Sequence, residues 1–141
     1  MFLVRAVYYS TAALPASPKG FDEGVEAILE TAERNNPAEG LTGALAYDDG
    51  QFIQVLEGPR EAVSKRLFAI AADERHTGMT LVEFAEISRR RFSDWTMAFV
   101  NRDTARRVAP APDWLSYAPS ESILALLEAA VAKLEPTQAA E

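Results

Sequence analysis

The chain opens with a run of residues in which both faces of a β-strand are apolar. Residues 3–10 (LVRAVYYS) are rich in β-branched and aromatic side chains. Alternation divides the large side chains between the two faces, with Val4, Ala6 and Tyr8 on one and Leu3, Val7 and Tyr9 on the other. A strand that is apolar on both faces is typical of the middle of a sheet that is covered on both sides.

Helical spacing follows, and then a hairpin. Residues 21–35 place Val25, Ile28, Leu29 and Ala32 about one turn apart, which predicts an amphipathic helix ended by Asn35-Asn36-Pro37. Apolar runs at 41–47 and 52–57 flank Asp48-Asp49-Gly50, and these residue types tolerate the positive φ that a hairpin turn requires. In the second arm Phe52, Gln54 and Leu56 share one face, so a polar amide lies between two large apolar side chains.

The second half of the chain continues with a helix, two strands and a last helix. Pro59 is expected to open a second helix, residues 79–87 form a strand, and a short strand at 95–100 puts Trp95, Met97 and Phe99 on one side. The order β-α-β-β-α-β with an additional short strand predicts an α+β, ferredoxin-like mixed sheet with two helices on one face. A last helix over 120–135, capped by Ser120, is expected to cover the other face. The alternative is that it packs on another subunit.

Length and composition narrow the class of protein. The 141 residues suit one domain at 1–100 with a C-terminal helical extension at 101–141. A net charge of -7 disfavours binding to nucleic acid or to anionic lipid. The chain has no cysteine and one histidine, which excludes thiolate chemistry and a histidine-rich metal site. Because no apolar run is long enough to span a bilayer, we expect a cytoplasmic protein.

Conventional catalytic constellations are scarce, and we therefore expect no enzyme activity. Three hydrogen-bonding side chains, Tyr8, Asn36 and Gln54, occupy positions where an apolar residue would be expected. An asparagine amide can pair with an imide edge, because it accepts from a ring N–H and donates to the adjacent carbonyl. A glutamine between such a ring and a phenol has two arrangements of similar energy, which differ by exchange of its O and N.

Each of these residues also has a purely structural interpretation. Tyr8 alone is typical of a core tyrosine, Asn35-Asn36-Pro37 of a helix terminator, and Gln54 of an edge-strand residue with a hydrated side chain. Their combination is what favours a ligand site.

At these residues the sequence resembles a BLUF domain, the family of flavin-binding blue-light sensors. The match runs over about residues 2–100 and consists of LVRAVYYS, ERNNPAEGLTGALAYDDGQFIQVLEGP, ADERH and RRRFSDWTM, in that order. The long middle piece is highly specific. The resemblance implies FAD held between the two helices, with the ring edge toward Tyr8 and Gln54.

The resemblance also implies a role for each matching residue. Tyr8 corresponds to the tyrosine that donates an electron and a proton to the excited flavin, Gln54 to the glutamine that then rearranges, and Asn36 to the asparagine that binds the imide edge. Trp95 and Met97 fall on two positions that compete for the space near the glutamine. The remaining implied cofactor contacts are the aliphatic pair Ile28 and Ile70 and the polar residues Asn35, Asp73, Arg75 and His76.

One departure from the family pattern concerns the second helix. Some members carry an arginine where this chain has Ala69. The resemblance therefore does not imply, for this chain, the contact that such an arginine makes to a ring carbonyl. Arg75 or His76 is the expected replacement.

The leading hypothesis is a blue-light photoreceptor that signals to a separate protein partner. The C-terminal helix and the sheet face beneath it are the expected surface for partner contact or self-association. One alternative is a ferredoxin-like module that binds a small ligand or a protein and contains no flavin. Another is an acylphosphatase-like enzyme, but residues 11–20, which would form its anion-binding loop, contain no arginine.

Overall fold

A five-stranded sheet lies between two layers of helix. The computed structural model describes residues 2–15, 17–101 and 113–134. In chain order the elements are β1 (Leu3–Ala12), α1 (Pro18–Glu39), β2 (Thr42–Asp48), β3 (Gln51–Pro59), α2 (Arg60–Ala71), β4 (His76–Ile87), β5 (Ala98–Asn101), a single 3₁₀ turn (Trp114–Ser116) and α3 (Ser120–Val131). The strand order is β4-β1-β3-β2-β5. Among the strand pairs of the described residues, β2–β5 alone is parallel, which confirms the predicted ferredoxin-like sheet with an added strand.

Both faces of the sheet are covered, as the first strand predicts. Apolar side chains of α1 and α2 pack on one face, against Val4, Ala6 and Tyr8 of β1. On the other face Val7 of β1 and Val55 of β3 belong to a second core that includes the buried side of α3. The C-terminal helix therefore covers the second face of its own chain. No helix among residues 2–15, 17–101 and 113–134 is long and apolar enough to cross a membrane.

The β2–β3 hairpin has the predicted turn and one obligatory glycine. Asp49 and Gly50 have φ values of 50° and 82°, as the Asp-Gly pair indicated. At Gly43 in β2, a Cβ atom would lie 2.0 Å from the backbone oxygen of Val55 on β3. A side chain at residue 43 would therefore force the two strands apart.

The first helix extends beyond its predicted bounds at both ends. It begins at Pro18, because the Ser17 hydroxyl accepts a hydrogen bond from the N–H of Gly20 at 3.1 Å and Pro18 fits the first turn. It continues through Asn36 and Pro37 to Glu39, so the prediction that Asn35-Asn36-Pro37 ends the helix is wrong. The helix ends instead at Gly40, whose φ of 73° is the left-handed conformation that closes a C-terminus.

Two further predictions fail where the backbone is irregular. Residues 95–97 are not part of a strand, since the backbone bends at residues 96 and 97, and β5 begins only at Ala98. Strand alternation therefore does not hold: Met97 and Phe99 pack on the α1–α2 side, whereas Trp95 packs in the core beneath α3. In α3, Ser120 is the first helical residue, and the N-cap is Pro119, which has no side-chain capping bond. The helix ends at Val131, and its predicted last residue, 135, lies outside the described residues.

Candidate functional site

A cavity of about 250 Å³ lies between α1, α2 and the sheet. Its walls are largely apolar, formed by Ile28, Leu45, Phe52, Leu56, Ile70 and Met97 among others. Polar side chains also reach it, namely Tyr8, Thr31, Asn36, Gln54, Arg66, Asp73, Arg75 and His76. A mostly apolar cleft with a few convergent polar groups is typical of a site for a small organic molecule or a cofactor.

Tyr8 and Gln54 form the centre of the polar group. They are directly opposite each other on β1 and β3, and both side chains are buried. The Tyr8 hydroxyl donates a hydrogen bond to Oε1 of Gln54, and Nε2 of Gln54 donates to Sδ of Met97 at 3.6 Å. A thioether sulfur is a weak acceptor. The amide is therefore held firmly on its oxygen side and weakly on its nitrogen side.

Asn36 joins this cavity to the bent segment before β5. It lies in the last turn of α1, is 1% exposed, and donates from Nδ2 to the backbone oxygen of Thr96 at 3.0 Å. The same segment is held from the sheet, since the N–H of Gly43 donates to the backbone oxygen of Trp95 at 3.0 Å. Residues 95–97 thus contact both side-chain amides of the cavity. Thr96 accepts from Asn36, and Met97 accepts from Gln54.

Burial shifts the acid–base behaviour of Tyr8. Loss of solvation raises the pKa of the Tyr8 hydroxyl far above its ordinary value, and the negative charge of Asp73 raises it further. The hydroxyl is therefore a neutral donor toward Gln54 throughout the physiological pH range.

The raised pKa predicts a stability loss that is confined to alkaline pH. In the unfolded chain Tyr8 ionises near its ordinary pKa of about 10, whereas in the folded chain it keeps its proton. The contribution of Tyr8 to the free energy of unfolding should therefore be constant below about pH 10 and should fall as the pH rises above it. Denaturant unfolding of the wild type and of Tyr8→Phe at several pH values measures this contribution. The free energy of unfolding of the wild type minus that of Tyr8→Phe should fall above about pH 10. A value that stays constant or rises there would contradict the raised pKa.

The rim of the cavity carries an ion pair at the end of α2. Arg75 donates from Nε to Oδ1 of Asp73 at 2.9 Å and from Nη2 to Oδ2 at 2.5 Å. These hydrogen bonds lower the pKa of Asp73 and raise that of Arg75. The carboxylate is thus ionised and held in one orientation beside the cavity.

His76 connects three elements through its two ring nitrogens. Nδ1 lies 2.7 Å from Oγ of Ser10 on β1, and Nε2 lies 2.6 Å from the backbone oxygen of Ile70 on α2. Because a carbonyl oxygen only accepts, Nε2 must carry a proton. His76 and Arg75, the expected replacements for an arginine at residue 69, are therefore both engaged by protein partners.

The cavity contains nine of the eleven residues that the sequence singled out. It is not lined by Trp95, which lies on the opposite side of the sheet, or by Asn35, which precedes Asn36 on α1. Met97, and not Trp95, contacts the Gln54 amide. Sequence reasoning missed Arg66, although it lies four residues before Ile70 and so on the same side of α2.

A second polar network lies on the opposite face of β3. The carboxylate of Glu57 is fully buried and accepts from Nε of Arg5 at 2.9 Å. It also accepts from the backbone N–H groups of Arg91 and Phe92, each at 2.9 Å. The guanidinium of Arg91 then binds two carboxylates of α3, those of Glu121 and Glu128. The segment before β5 is thereby attached to α3.

Comparison with known proteins identifies this arrangement. Residues 3–98 match the profile of the family described as BLUF, sensors of blue-light using FAD. Photoactivated adenylate cyclase subunit beta of Euglena gracilis is 35% identical over 115 residues, which are 81% of this chain and 13% of that protein. The chain thus spans about an eighth of the length of this curated relative.

Solved structures agree with the sequence match. The dark-state structure of BlrB, a BLUF protein, has a TM-score of 0.78 and 32% identity, and the alignment covers 94% of this chain and 98% of that one. A bacterial light-regulated adenylyl cyclase has a TM-score of 0.67 and 29% identity, over 88% of this chain and 35% of that one. The profile match over most of the chain, together with these relatives, shows that the protein belongs to the BLUF family and is a blue-light sensor that uses FAD.

Proposed function

We propose that light acts on this protein through the hydrogen-bonded chain Tyr8–Gln54–Met97, and that the protein signals without chemical turnover. The observation that carries the proposal is the buried bond from the Tyr8 hydroxyl to Gln54 Oε1 at the wall of the cavity. It joins a potential electron and proton donor to an amide whose two ends are chemically different.

The residues around the cavity fit the isoalloxazine ring of FAD. Ile28 and Ile70, from α1 and α2, offer aliphatic walls to a flat ring. Asn36 brings both an acceptor and a donor, the pair that an imide edge requires. Nε of Arg66 is buried and has no hydrogen-bond partner among the described residues, which leaves a donor for a ligand oxygen. When bound, FAD supplies the absorption of blue light and a ring that takes up an electron and a proton.

Tyr8 is the proposed source of that electron and proton. Its hydroxyl is buried, so its proton has one described route out, along the hydrogen bond to Gln54 Oε1. Once Tyr8 no longer donates, Oε1 has lost the partner that fixed the amide. The weak bond from Nε2 to Met97 Sδ does not oppose rotation strongly. Gln54 can then exchange its O and N, and return of both the electron and the proton to Tyr8 leaves the amide in the second arrangement.

The bent segment at 95–97 is the proposed route from the cavity to the protein surface. A rotated Gln54 no longer offers Nε2 to Met97, whose neighbour Thr96 is bound by Asn36. Arg91, at the start of the same connection, is attached to α3 through Glu121 and Glu128. We therefore assign residues 1–100 to the sensor and α3, within 101–141, to the output surface. A separate protein is the proposed receiver, and a second copy of the chain is the alternative.

An absorption spectrum recorded before and after blue illumination tests the proposal. The FAD-loaded wild type should show a reversible red shift of the flavin bands. Gln54→Leu should bind FAD and show no shift, because leucine has no polar ends to exchange. Gln51→Leu, on the same strand but outside the cavity lining, is the matched control and should respond like the wild type. A full red shift in Gln54→Leu would exclude the amide as the switch.

A further inference from the structure

Arg66 carries a buried polar atom that the fold does not satisfy. Its side chain is 19% exposed, it lines the cavity, and its Nη2 donates to Oε1 of Glu39 at 2.6 Å. Nε, by contrast, is buried and has no hydrogen-bond partner among the described residues. Arginine keeps its charge in proteins, so this N–H cannot avoid the cost of burial by losing its proton. A donor in this state is stabilised when a ligand supplies an acceptor.

The position of Arg66 indicates which part of a ligand it meets. Glu39, which holds the guanidinium, lies about one turn after Asn36 on α1. The guanidinium is therefore anchored near the end of the cavity where Asn36 presents its amide. A carbonyl oxygen next to a ring N–H is the kind of acceptor that both groups can share.

Other cations near the cavity are less available for this role. Arg75 donates through Nε and Nη2 to Asp73, and both ring nitrogens of His76 have protein partners. Ala69, about one turn after Arg66 on α2, has no polar side chain. Arg66 is thus the cation at this cavity with a buried, unused donor.

We propose that Arg66 is a cofactor-binding residue whose Nε–H donates to a carbonyl oxygen at the imide edge of the flavin, and that Glu39 positions it. The proposal rests on the proposed placement of the ring in this cavity. It assigns to Arg66 the ring-carbonyl contact that Ala69 cannot make.

Replacing Arg66 with methionine tests the proposal, because methionine keeps much of the length of the side chain but has no donor. FAD should bind about 10-fold more weakly in the dark, as expected for loss of one hydrogen bond to a charged group. In the infrared spectrum of the bound flavin, an imide carbonyl stretch should move to higher frequency. Arg66→Lys should give intermediate values for both. Lys65→Met is the matched control, since Lys65 also faces Glu39, at 3.8 Å, but its side chain is 80% exposed; it should match the wild type.

The outcomes separate this proposal from the proposed function. Wild-type FAD affinity and an unshifted carbonyl stretch in Arg66→Met would overturn the assignment of Arg66. The light response of the wild type and its loss in Gln54→Leu would be unaffected by that result. If Arg66→Met does not fold, Arg66→Lys decides the question, because a lysine that restores full affinity and the wild-type stretch shows that Nε is not needed. FAD binding that is insensitive to Asn36→Ala as well as to Arg66→Met would instead count against the cavity as the ring site.

Discussion

Replacing Tyr8 with phenylalanine should leave FAD bound and abolish the light-induced red shift. Phenylalanine fills the same space between β1 and α2 but has no hydroxyl, so it has no proton to pass to Gln54 Oε1 and is a much poorer electron donor. The loss should be complete rather than partial, because the hydroxyl is the only described donor to that oxygen. Absorption spectra before and after blue illumination, with FAD content measured after release from the protein, check both parts of this result.

Tyr9→Phe is the matched control for this experiment. Tyr9 follows Tyr8 on β1, but it packs against the core on the α3 side of the sheet. It should keep both FAD and the full red shift. A normal red shift in Tyr8→Phe would remove Tyr8 from the mechanism, and a Tyr8→Phe protein that no longer retains FAD would show that the hydroxyl mainly serves binding.

Replacing Glu57 with alanine should lower the free energy of unfolding by about 3–5 kcal/mol, the usual cost of removing one partner of a buried ion pair. The change leaves the guanidinium of Arg5, which is 8% exposed, without its carboxylate. It also removes the acceptor for the backbone N–H groups of Arg91 and Phe92. Urea unfolding of the FAD-loaded proteins, followed by circular dichroism, measures the difference.

Two further variants separate the ion pair from general effects of substitution. Glu86→Ala removes a carboxylate that is 72% exposed and lies 3.9 Å from Arg60, and it should cost less than about 1 kcal/mol. The double variant Arg5→Met, Glu57→Leu should regain only part of the stability, because no buried charge is then left unpaired but the N–H groups of Arg91 and Phe92 still lack their acceptor. A Glu57→Ala protein as stable as Glu86→Ala would show that the buried hydrogen bonds of Glu57 do not stabilise the fold.

The sheet could be predicted from the sequence because its information is local. Alternation along β1, the Asp-Gly turn and the helical stripes each arise from residues close together in the chain. The bounds of α1 were harder to predict, since Asn36 and Pro37 disfavour a helix locally, yet the helix continues through both residues and ends only at Gly40.

The site was predictable where it depends on strand register and unpredictable where it depends on irregular backbone. Tyr8 and Gln54 meet because they are paired residues of adjacent strands. Trp95 and Met97 point to opposite sides of the sheet because residues 95–97 bend, and alternation gives no information about a bend. Arg66 was missed for a different reason: a cation on a helix is usually solvated, and the burial of its Nε is visible only in the folded chain.

Substitution can remove only one of the two partners in the hydrogen bond between Asn36 and Thr96. Asn36 contributes a side chain, whereas residue 96 contributes a main-chain oxygen that every amino acid possesses. A survey of substitutions at residue 96 would therefore find broad tolerance and would suggest that the position is unimportant. The same survey at residue 36 would find that almost no substitution is tolerated. Variation among natural or engineered relatives would understate the role of the 95–97 bend for the same reason.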